Sequence, residues 1–171
     1  MTDAPASRTP EIVTRAEQPY LALRALVAMD GIAAFAARFG ELFAWLGSHG
    51  VTPSGPPFFR YNVIDMDGQL DMEAGVPVAA TTDGDEVVVA GVLPGGRYAT
   101  AVHVGHPQGL MMATRELLDW AAAQGLEWDM SAGDHGERWG SRLEIYFTDP
   151  SEEPDMTKWR TELAFRLASQ A

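Results

Sequence analysis

The sequence contains no cysteine, which excludes disulfides, thiolate metal sites and cysteine nucleophiles. It is also poor in basic residues, with 12 lysines and arginines against 24 aspartates and glutamates, for a formal net charge of −12. A chain of this charge repels phosphates, so no direct nucleic-acid binding is expected. Residues 1–10 lack a basic region followed by an apolar run, and no apolar run approaches the length of a membrane helix. These absences predict a soluble, cytoplasmic protein without membrane contacts.

Several motifs of enzymes and metal proteins are also missing. The glycine pairs, such as the one in LPGG, belong to no GxxxxGK[ST] phosphate loop, and no serine stands in a nucleophile elbow. Nucleotide hydrolysis and serine-type acyl transfer are therefore excluded. No histidine is spaced with another ligand as zinc requires on a helix, so no metal and no cofactor are expected. The histidines are His49, His103, His106 and His135.

The composition that remains supports one hydrophobic core. Of the 171 residues, 46% are hydrophobic and 21% are charged, which is typical of a globular domain rather than of a disordered acidic chain. The small, polar, proline-containing start predicts a flexible tail over residues 1–9. Residues 10–171 are then expected to form a single domain.

Hydrophobic periodicity predicts two helices separated by strands. Apolar residues recur at helical spacing from Ile32 to Leu46, with Asp30 as a possible N-cap and Gly50 as a left-handed stop. A second helix is predicted at 110–125. The remaining predictions are strands at 11–29 (one extended segment in which Pro19 indicates an edge position or a bulge), 58–65, 70–79, 86–93, 97–105, 139–149 and 157–169, and a polar loop at 127–138.

The two halves of the chain repeat. ELFAWL, which precedes Gly50, corresponds to ELLDWA, which precedes Gly125, and each stretch follows an extended segment and precedes two strands. Half-repeats are expected at about 10–80 and 86–169. Two strand–helix–strand–strand units related by a pseudo-twofold axis can merge their sheets and place both helices on one side. The predicted fold class is therefore α+β: a tandem pseudo-twofold repeat with an antiparallel sheet, helices on one side and a central ligand groove.

The stretch WGSRLEIYFTD, which begins at Trp139, carries the strongest functional signal. It alternates as a strand, with Glu144 and Tyr146 on one face and apolar side chains on the other. A carboxylate among aromatic rings is typical of a pocket for a bulky, flat, often cationic ligand. Two other roles of Glu144 stay open at this point: a general base for a water molecule, and a structural ion pair with Arg142 or Arg60.

Five stretches of the chain occur in the order and spacing of a known family: FGELFAWLGSHGVTPSGPPFFRYNVID, DMEAGVPV, LPGGRYATAVHVG, SRLEIYFTDP and TELAFRL. They resemble the GyrI-like effector-binding domain, and the resemblance covers residues 10–168. That family includes the ligand-sensing domains of AraC-type and MerR-type regulators and free-standing small proteins. The resemblance implies the tandem fold described above. It also implies that Glu144, followed by Tyr146, occupies the family's position of a central pocket glutamate.

Three functions follow as expectations from the residues and the resemblance. The first is a free-standing, multidrug-like binding protein that captures bulky, lipophilic, cationic molecules in an aromatic groove. The second is a hydrolase that opens the cyclopropane ring of alkylating natural products, with the same glutamate activating water. The third is an acidic module that binds a protein partner such as gyrase. The candidate ligand-binding residues are Glu144, Tyr146, Trp139, Tyr61, Phe39, Phe59, Trp120, His106 and Met112, and Glu144 is also the catalytic candidate.

Some of these candidates have a competing interpretation as core residues. Trp45 and Trp120 occupy the same place in the two repeated helices, and twin positions usually mean shared packing against the sheet. Met112 at the start of the second helix fits core filling as well as adaptable contact with a ligand. Trp139 fits a place at the edge of the sheet as well as a place in the pocket.

Overall fold

The structure, a computed structural model, describes residues 8–169. Within this range the helices are α1 (Ile32–Ala36), α2 (Phe39–Ser48) and α3 (Leu110–Ala123). The strands of the same range are β1 (Arg8–Arg15), β2 (Gln18–Val27), β3 (Phe58–Ile64), β4 (Leu70–Pro77), β5 (Val89–Leu93), β6 (Gly96–Val104), β7 (Met130–Gly133), β8 (Gly136–Trp139), β9 (Arg142–Tyr146) and β10 (Arg160–Arg166). The predicted tail at residues 1–9 falls almost entirely on residues outside the described range.

The sheet has a symmetric strand order. Its main path runs β1-β6-β10-β9-β3-β4-β2-β5, and all its pairs are antiparallel. Outward from the central β9–β3 pair, the first half of the chain contributes β3, β4 and β2, and the second half contributes β9, β10 and β6. Each half therefore runs strand, helix, strand, strand. The strands β1 and β5 add one further strand at each edge.

All helices of the described range pack against one face of this sheet. Leu42 and Leu46 of α2 and Phe35 of α1 are buried on β2, β3 and β4, and Leu117 of α3 is buried on β6 and β10. The result is a curled antiparallel half-barrel with the helices on one side, which confirms the predicted fold class. In residues 8–169 no helix has the length and apolar character needed to cross a membrane.

The prediction of one extended segment at 11–29 is wrong, because the segment forms two strands in different parts of the sheet. It turns at residues 16–17, so that β1 pairs with β6 and β2 lies between β4 and β5. Pro19 is thus in an internal strand rather than at an edge. It is tolerated there because the ladder between β2 and β4 begins only at the next residue, with Tyr20 opposite Pro77.

The first helix also differs from its prediction. Asp30 lies inside a 3-10 turn at Met29–Gly31 and its side chain caps no helix; the residue before the turn is Ala28. The helical segment is interrupted between α1 and α2, where Arg38 is the residue before α2. The predicted left-handed stop is confirmed, since Gly50 has a φ of 66°.

The predicted polar loop at 127–138 is wrong, because most of it forms the hairpin of β7 and β8. Gly133 and Gly136 are the last pair before a two-residue turn, and Gly136 has a φ of 97° that L residues rarely adopt. A Cβ at Gly136 would meet the Ile64 carbonyl oxygen at 2.4 Å, so the turn also lies very close to β3. In the sequence, the two glycines that flank the turn indicate a hairpin. The strands on either side are so short and polar that their alternation does not predict strands.

The strand predicted at 139–149 is shorter than expected and does not begin at Trp139. Only residues 142–146 form β9, while Trp139 ends β8. Both strands pair with β3, with Arg138 opposite Val63 and Leu143 opposite Arg60, so β8 and β9 follow one line along β3. Residues 140–141 form a bulge between them, which shifts the alternation by one position. As a result Trp139 and Glu144 both face the helices.

The opposite face of the sheet has its own core and a buried polar network. Phe58, Tyr98 and Leu143 belong to the core of this face. Glu73 accepts hydrogen bonds from the Tyr20 hydroxyl at 2.8 Å and from the Asn62 amide at 2.8 Å. Glu144, around which the groove was predicted, lies on the other face, because its cross-strand partners Phe59 and Leu163 are buried beneath the helices.

Candidate functional site

Glu144 lies at the centre of the sheet on the face that the helices cover. Its Cα partners are Phe59 on β3 and Leu163 on β10, so a strand flanks it on each side. Phe59 is buried beneath α1 and α2, whereas Leu163 is buried beneath α3. Glu144 therefore stands at the boundary between the two halves of the molecule.

Two tyrosines converge on the Glu144 carboxylate. The Tyr146 hydroxyl donates a hydrogen bond to Oε1 at 2.7 Å, and Tyr61 is the second side-chain hydrogen-bond partner. Tyr61 lies on β3 and Tyr146 on β9, so each half of the molecule supplies one phenol. An ionised carboxylate only accepts hydrogen bonds and each phenol can donate one, so both tyrosines favour the ionised form of the glutamate.

The surroundings pull the pKa of Glu144 in opposite directions. Its side chain keeps some exposed surface, yet burial is the largest effect and raises the pKa above the ordinary value of a glutamate. The hydrogen bonds from Tyr146 and Tyr61 and the positive charge of Arg142 lower it, without cancelling the effect of burial. Burial also raises the pKa of both tyrosines well above the usual range. The site therefore combines protonated phenols with a carboxylate that lacks full solvation.

Aromatic rings from the first half of the chain complete the surroundings of Glu144. The Phe59 ring stacks with those of Phe39 and Phe35, at centroid distances of 5.2 and 5.6 Å. The Tyr146 ring stands perpendicular to the Phe59 ring at 5.5 Å, and the Tyr61 ring meets it edge-on at 6.4 Å. We call these five residues, together with Glu144, the aromatic site. They bring together a carboxylate and several ring faces, which is the chemistry that recognises flat or cationic molecules.

Neither arginine that the sequence offered as an ion-pair partner neutralises Glu144. Arg60 lies on the opposite face, where it donates to the Tyr20 hydroxyl at 2.8 Å and approaches Glu73 at 3.9 Å. Arg142 shares the face of Glu144, yet among residues 8–169 the structure contains no ion pair to that carboxylate. The interpretation of Glu144 as half of a structural ion pair is therefore not supported by the described residues.

Trp139 is close to the aromatic site in sequence but packs in a different cluster. It is 4% exposed and its ring lies 5.7 Å from Phe165 and 5.6 Å from Trp128. This cluster lies beneath α3. The guanidinium of Arg142 lies over its ring at 4.7 Å from the ring centroid, so Trp139 is linked to the neighbourhood of Glu144 through that arginine.

The last three candidates do not join the aromatic site. Trp120 of α3 packs, half-buried, in the cluster beneath α3. The Nδ1 atom of His106 accepts a hydrogen bond from the Gln108 backbone amide at 3.1 Å and so caps the turn before α3. Met112 is 65% exposed. These three residues were predicted to bind a ligand because of helical spacing and proximity to a helix start. Both signals predict a position in the site less well than the strand register that aligns Glu144 with Phe59.

Two cavities lie outside the aromatic site. One of about 300 Å³ lies between β6 and α3, where His103 and Met112 border it. The other, of about 470 Å³, opens on the opposite face of the sheet beside Phe58, Ile145 and Phe147. In the aromatic site, the rings of Phe39, Phe59 and Tyr146 contact one another.

The raised pKa of Glu144 predicts a pH-dependent effect of Glu144→Gln on stability. A carboxyl whose pKa is higher in the folded than in the unfolded chain binds more protons in the folded state, so stability falls as pH rises from the unfolded to the folded pKa. Glutamine keeps the hydrogen-bonding shape and removes the charge. The variant should therefore gain free energy of unfolding over the wild type as pH rises through this interval, and keep the gain at neutral pH.

Urea unfolding at a series of pH values measures this difference. Glu17→Gln is the matched control, because Glu17 is exposed and the substitution makes the same change in net charge. The control should show no comparable gain. A Glu144→Gln variant that loses stability relative to the wild type as pH rises would contradict the assignment of a desolvated carboxylate.

A curled antiparallel half-barrel with two repeated halves and helices on one side is the fold of a class of small-molecule-binding domains. The sequence model of one such family matches residues 8–168. The chain belongs to this family, the GyrI-like small molecule binding domain. A comparison with curated protein sequences found no match.

Solved structures with the same fold place the domain in several contexts. The chain is similar to EcmrR, both in its DNA complex (16% identity, TM-score 0.77, 95% of this chain and 58% of that chain) and as its isolated C-terminal domain (17%, 0.73, 95% and 98%). It is also similar to SAV2435 bound to tetraphenylphosphonium (10%, 0.61, 95% and 95%). A fourth similar structure is a hydrolase from Listeria innocua (18%, 0.62, 95% and 93%). The chain thus spans little more than half of the DNA-bound EcmrR chain, and at these identities the likeness establishes the fold alone.

Proposed function

We propose that this domain binds bulky, lipophilic organic cations at the aromatic site, with Glu144 as their counterion. One observation carries the proposal: among the described residues, the Glu144 carboxylate has two phenol partners and no ion pair, and its pKa is raised by burial. An organic cation with delocalised or shielded charge would supply the missing neutralisation while its apolar surface replaces water at the rings.

The rings around Glu144 suit such a ligand in number and type. Phe59 forms the floor, Phe39 and Phe35 cover it, and Tyr61 and Tyr146 flank the carboxylate. Cations are attracted to the faces of aromatic rings, and the attraction is strongest where water is excluded. SAV2435, which shares the fold, is bound to tetraphenylphosphonium. That ligand has the chemical character inferred for this site.

Because the rings of the aromatic site contact one another, a bulky ligand that enters among them requires some of them to move. Phe39 is the first residue of α2, and Phe35 lies in the five-residue helix α1. Phe59 has ladder partners on both sides, and Tyr146 is held by its partner Thr161 on β10 and by the bond from its backbone amide to the Pro57 carbonyl oxygen at 2.9 Å. We infer that α1 and the start of α2 move on ligand entry while the strand residues stay in place.

A pair of ions with the same shape tests the role of charge. Tetraphenylphosphonium and tetraphenylborate carry four phenyl groups and opposite unit charges. We expect tetraphenylphosphonium to quench tryptophan fluorescence or give a saturable calorimetric titration, and tetraphenylborate to bind at least about tenfold more weakly because the carboxylate repels it. Equal binding of both ions would mean that hydrophobic contact alone drives binding. Preferential binding of the borate would overturn the proposal.

The second candidate function is hydrolysis of a strained electrophile, and the raised pKa of Glu144 favours it. A carboxylate with a raised pKa is a better general base near neutral pH than an ordinary glutamate. In this reaction Glu144 would take a proton from water while the water oxygen attacks a cyclopropane carbon of the ligand. The C–C bond from that carbon would break, its electron pair would pass to the electron-withdrawing group conjugated with the ring, and that part of the ligand would take up the proton from Glu144, so that water adds across the broken bond. Incubation with a cyclopropane-containing alkylator, followed by mass spectrometry, distinguishes the two functions. A hydrated product that the wild type forms and Glu144→Gln does not would establish the enzyme.

A further inference from the structure

Arg142 carries an unpaired positive charge beside the aromatic site. It lies two residues before Glu144 on the same face of β9, which separates their Cα atoms by about 7 Å. Its guanidinium carbon lies 4.4 Å from the ring centroid of Phe165, its cross-strand partner, and 4.7 Å from that of Trp139. Within residues 8–169 the structure records no hydrogen bond or ion pair of this guanidinium.

Five other arginines of the described range have acceptors for their charge. The pairs are Arg15 with Glu162, Arg24 with Asp71, Arg38 with Glu41, Arg60 with Glu73 and Arg166 with Asp129. Arg142 is buried enough that desolvation is the largest effect on its pKa, which is lowered. A half-buried guanidinium without an acceptor is costly, because its donors lose water and gain no partner in return.

The guanidinium carbon lies over two aromatic rings, and neither ring offers an oxygen acceptor to the N–H donors. The five N–H donors of arginine lie in the plane of the group and form a fork that matches a carboxylate. The charged and titratable groups whose charges act on Arg142 are Glu137 on β8, Glu144 on β9 and Tyr61 on β3. All three act at a distance, without a hydrogen bond to the guanidinium, so the fork remains available to a ligand.

We propose that Arg142 is the second recognition point of the aromatic site and selects ligands that carry a carboxylate in addition to their cationic centre. The inference rests on the proposed function, since the aromatic rings and Glu144 hold the cationic end. The ligand class narrows from lipophilic cations in general to aromatic zwitterions, with their two charges spaced as Arg142 and Glu144 are spaced along β9. Arg142 thereby determines specificity, whereas Glu144 neutralises the cation.

Tetramethylrhodamine and its methyl ester test this selection, because they share one aromatic cation and differ only in whether the carboxylate is free or esterified. Fluorescence anisotropy gives the Kd of each dye. We expect the wild type to bind the free acid at least about tenfold more tightly than the ester, as charged hydrogen bonds to arginine imply. Arg142→Gln should lose this preference while retaining the ester, and Arg142→Lys should keep part of it because it keeps the charge.

Several outcomes would overturn the selection by Arg142. If the wild type binds the ester as tightly as the acid, or more tightly, selection by Arg142 is contradicted without any variant. An Arg142→Gln variant that weakens both dyes by the same factor would show that Arg142 only packs between the rings. Tetraphenylphosphonium separates this inference from the proposed function. If the phosphonium binds and neither dye does, selection by Arg142 fails alone; if no cation binds, the proposed function fails with it.

Discussion

Glu144→Gln is expected to weaken tetraphenylphosphonium binding at neutral pH by at least about thirtyfold. Removing one member of a desolvated charge pair typically costs about 2–5 kcal/mol, and each 1.4 kcal/mol is tenfold in affinity. Glutamine preserves the size of the side chain and an acceptor for the Tyr146 hydroxyl. The loss of affinity can therefore be assigned to the charge. Isothermal titration of the wild type and the variant measures it directly.

The control for this experiment is again Glu17→Gln. It lowers the negative charge of the domain by the same amount, but Glu17 is exposed and borders the cavity on the opposite face of the sheet. We expect its affinity for the phosphonium to stay within about twofold of the wild type, because exposed charges are screened by salt. If both variants lose affinity equally, general attraction to an acidic surface explains the binding. If neither does, Glu144 is not the counterion.

Phe59→Ala is expected to lower the free energy of unfolding by about 3–5 kcal/mol, the usual cost of truncating a buried phenylalanine. Phe59 is 3% exposed, and its ring contacts those of Phe35, Phe39, Tyr61 and Tyr146. Truncation leaves a cavity beneath the first-half helices and removes the floor of the aromatic site. Urea unfolding at neutral pH measures the change.

Phe43→Ala provides a matched control for Phe59→Ala. Phe43 lies on α2 and is 43% exposed, so the same chemical change should alter stability by no more than about 0.5 kcal/mol. Phe59→Leu separates stability from binding, because leucine fills much of the space without offering a ring. We expect Phe59→Leu to remain folded and to bind tetraphenylphosphonium several-fold more weakly. Stability losses as large in Phe43→Ala as in Phe59→Ala would contradict the central place of Phe59.

The strand alternation of the last third of the chain was sufficient to predict the orientation of Glu144. The alternating pattern separates Glu144 and Tyr146 from Leu143 and Ile145, and the structure puts the first pair on the helix face and the second pair on the opposite face. The internal repeat predicts that this strand is central rather than at an edge of the sheet, since only a central strand can lie between two related halves. Periodicity and repetition are properties that a single sequence displays directly.

Other features depend on contacts that no local pattern encodes. The two-residue bulge after Trp139 is invisible in the alternation, so the sequence cannot tell that Trp139 faces α3 and its cluster. The guanidinium of Arg142 lacks an acceptor because the neighbouring side chains bond to other groups, and those bonds depend on the whole fold. The hairpin before it is short and polar, and only the φ of Gly136 and the pairing with β3 reveal it.

A crystal structure of this protein with tetraphenylphosphonium would test the central claim most directly. We expect the phosphorus atom to lie near the Glu144 carboxylate on the helix face, with phenyl groups against Phe59 and Tyr146 and with Phe39 displaced. A phosphonium seated instead in the cavity of about 470 Å³ on the opposite face, beside Phe58 and Phe147, with the aromatic site unchanged, would contradict it.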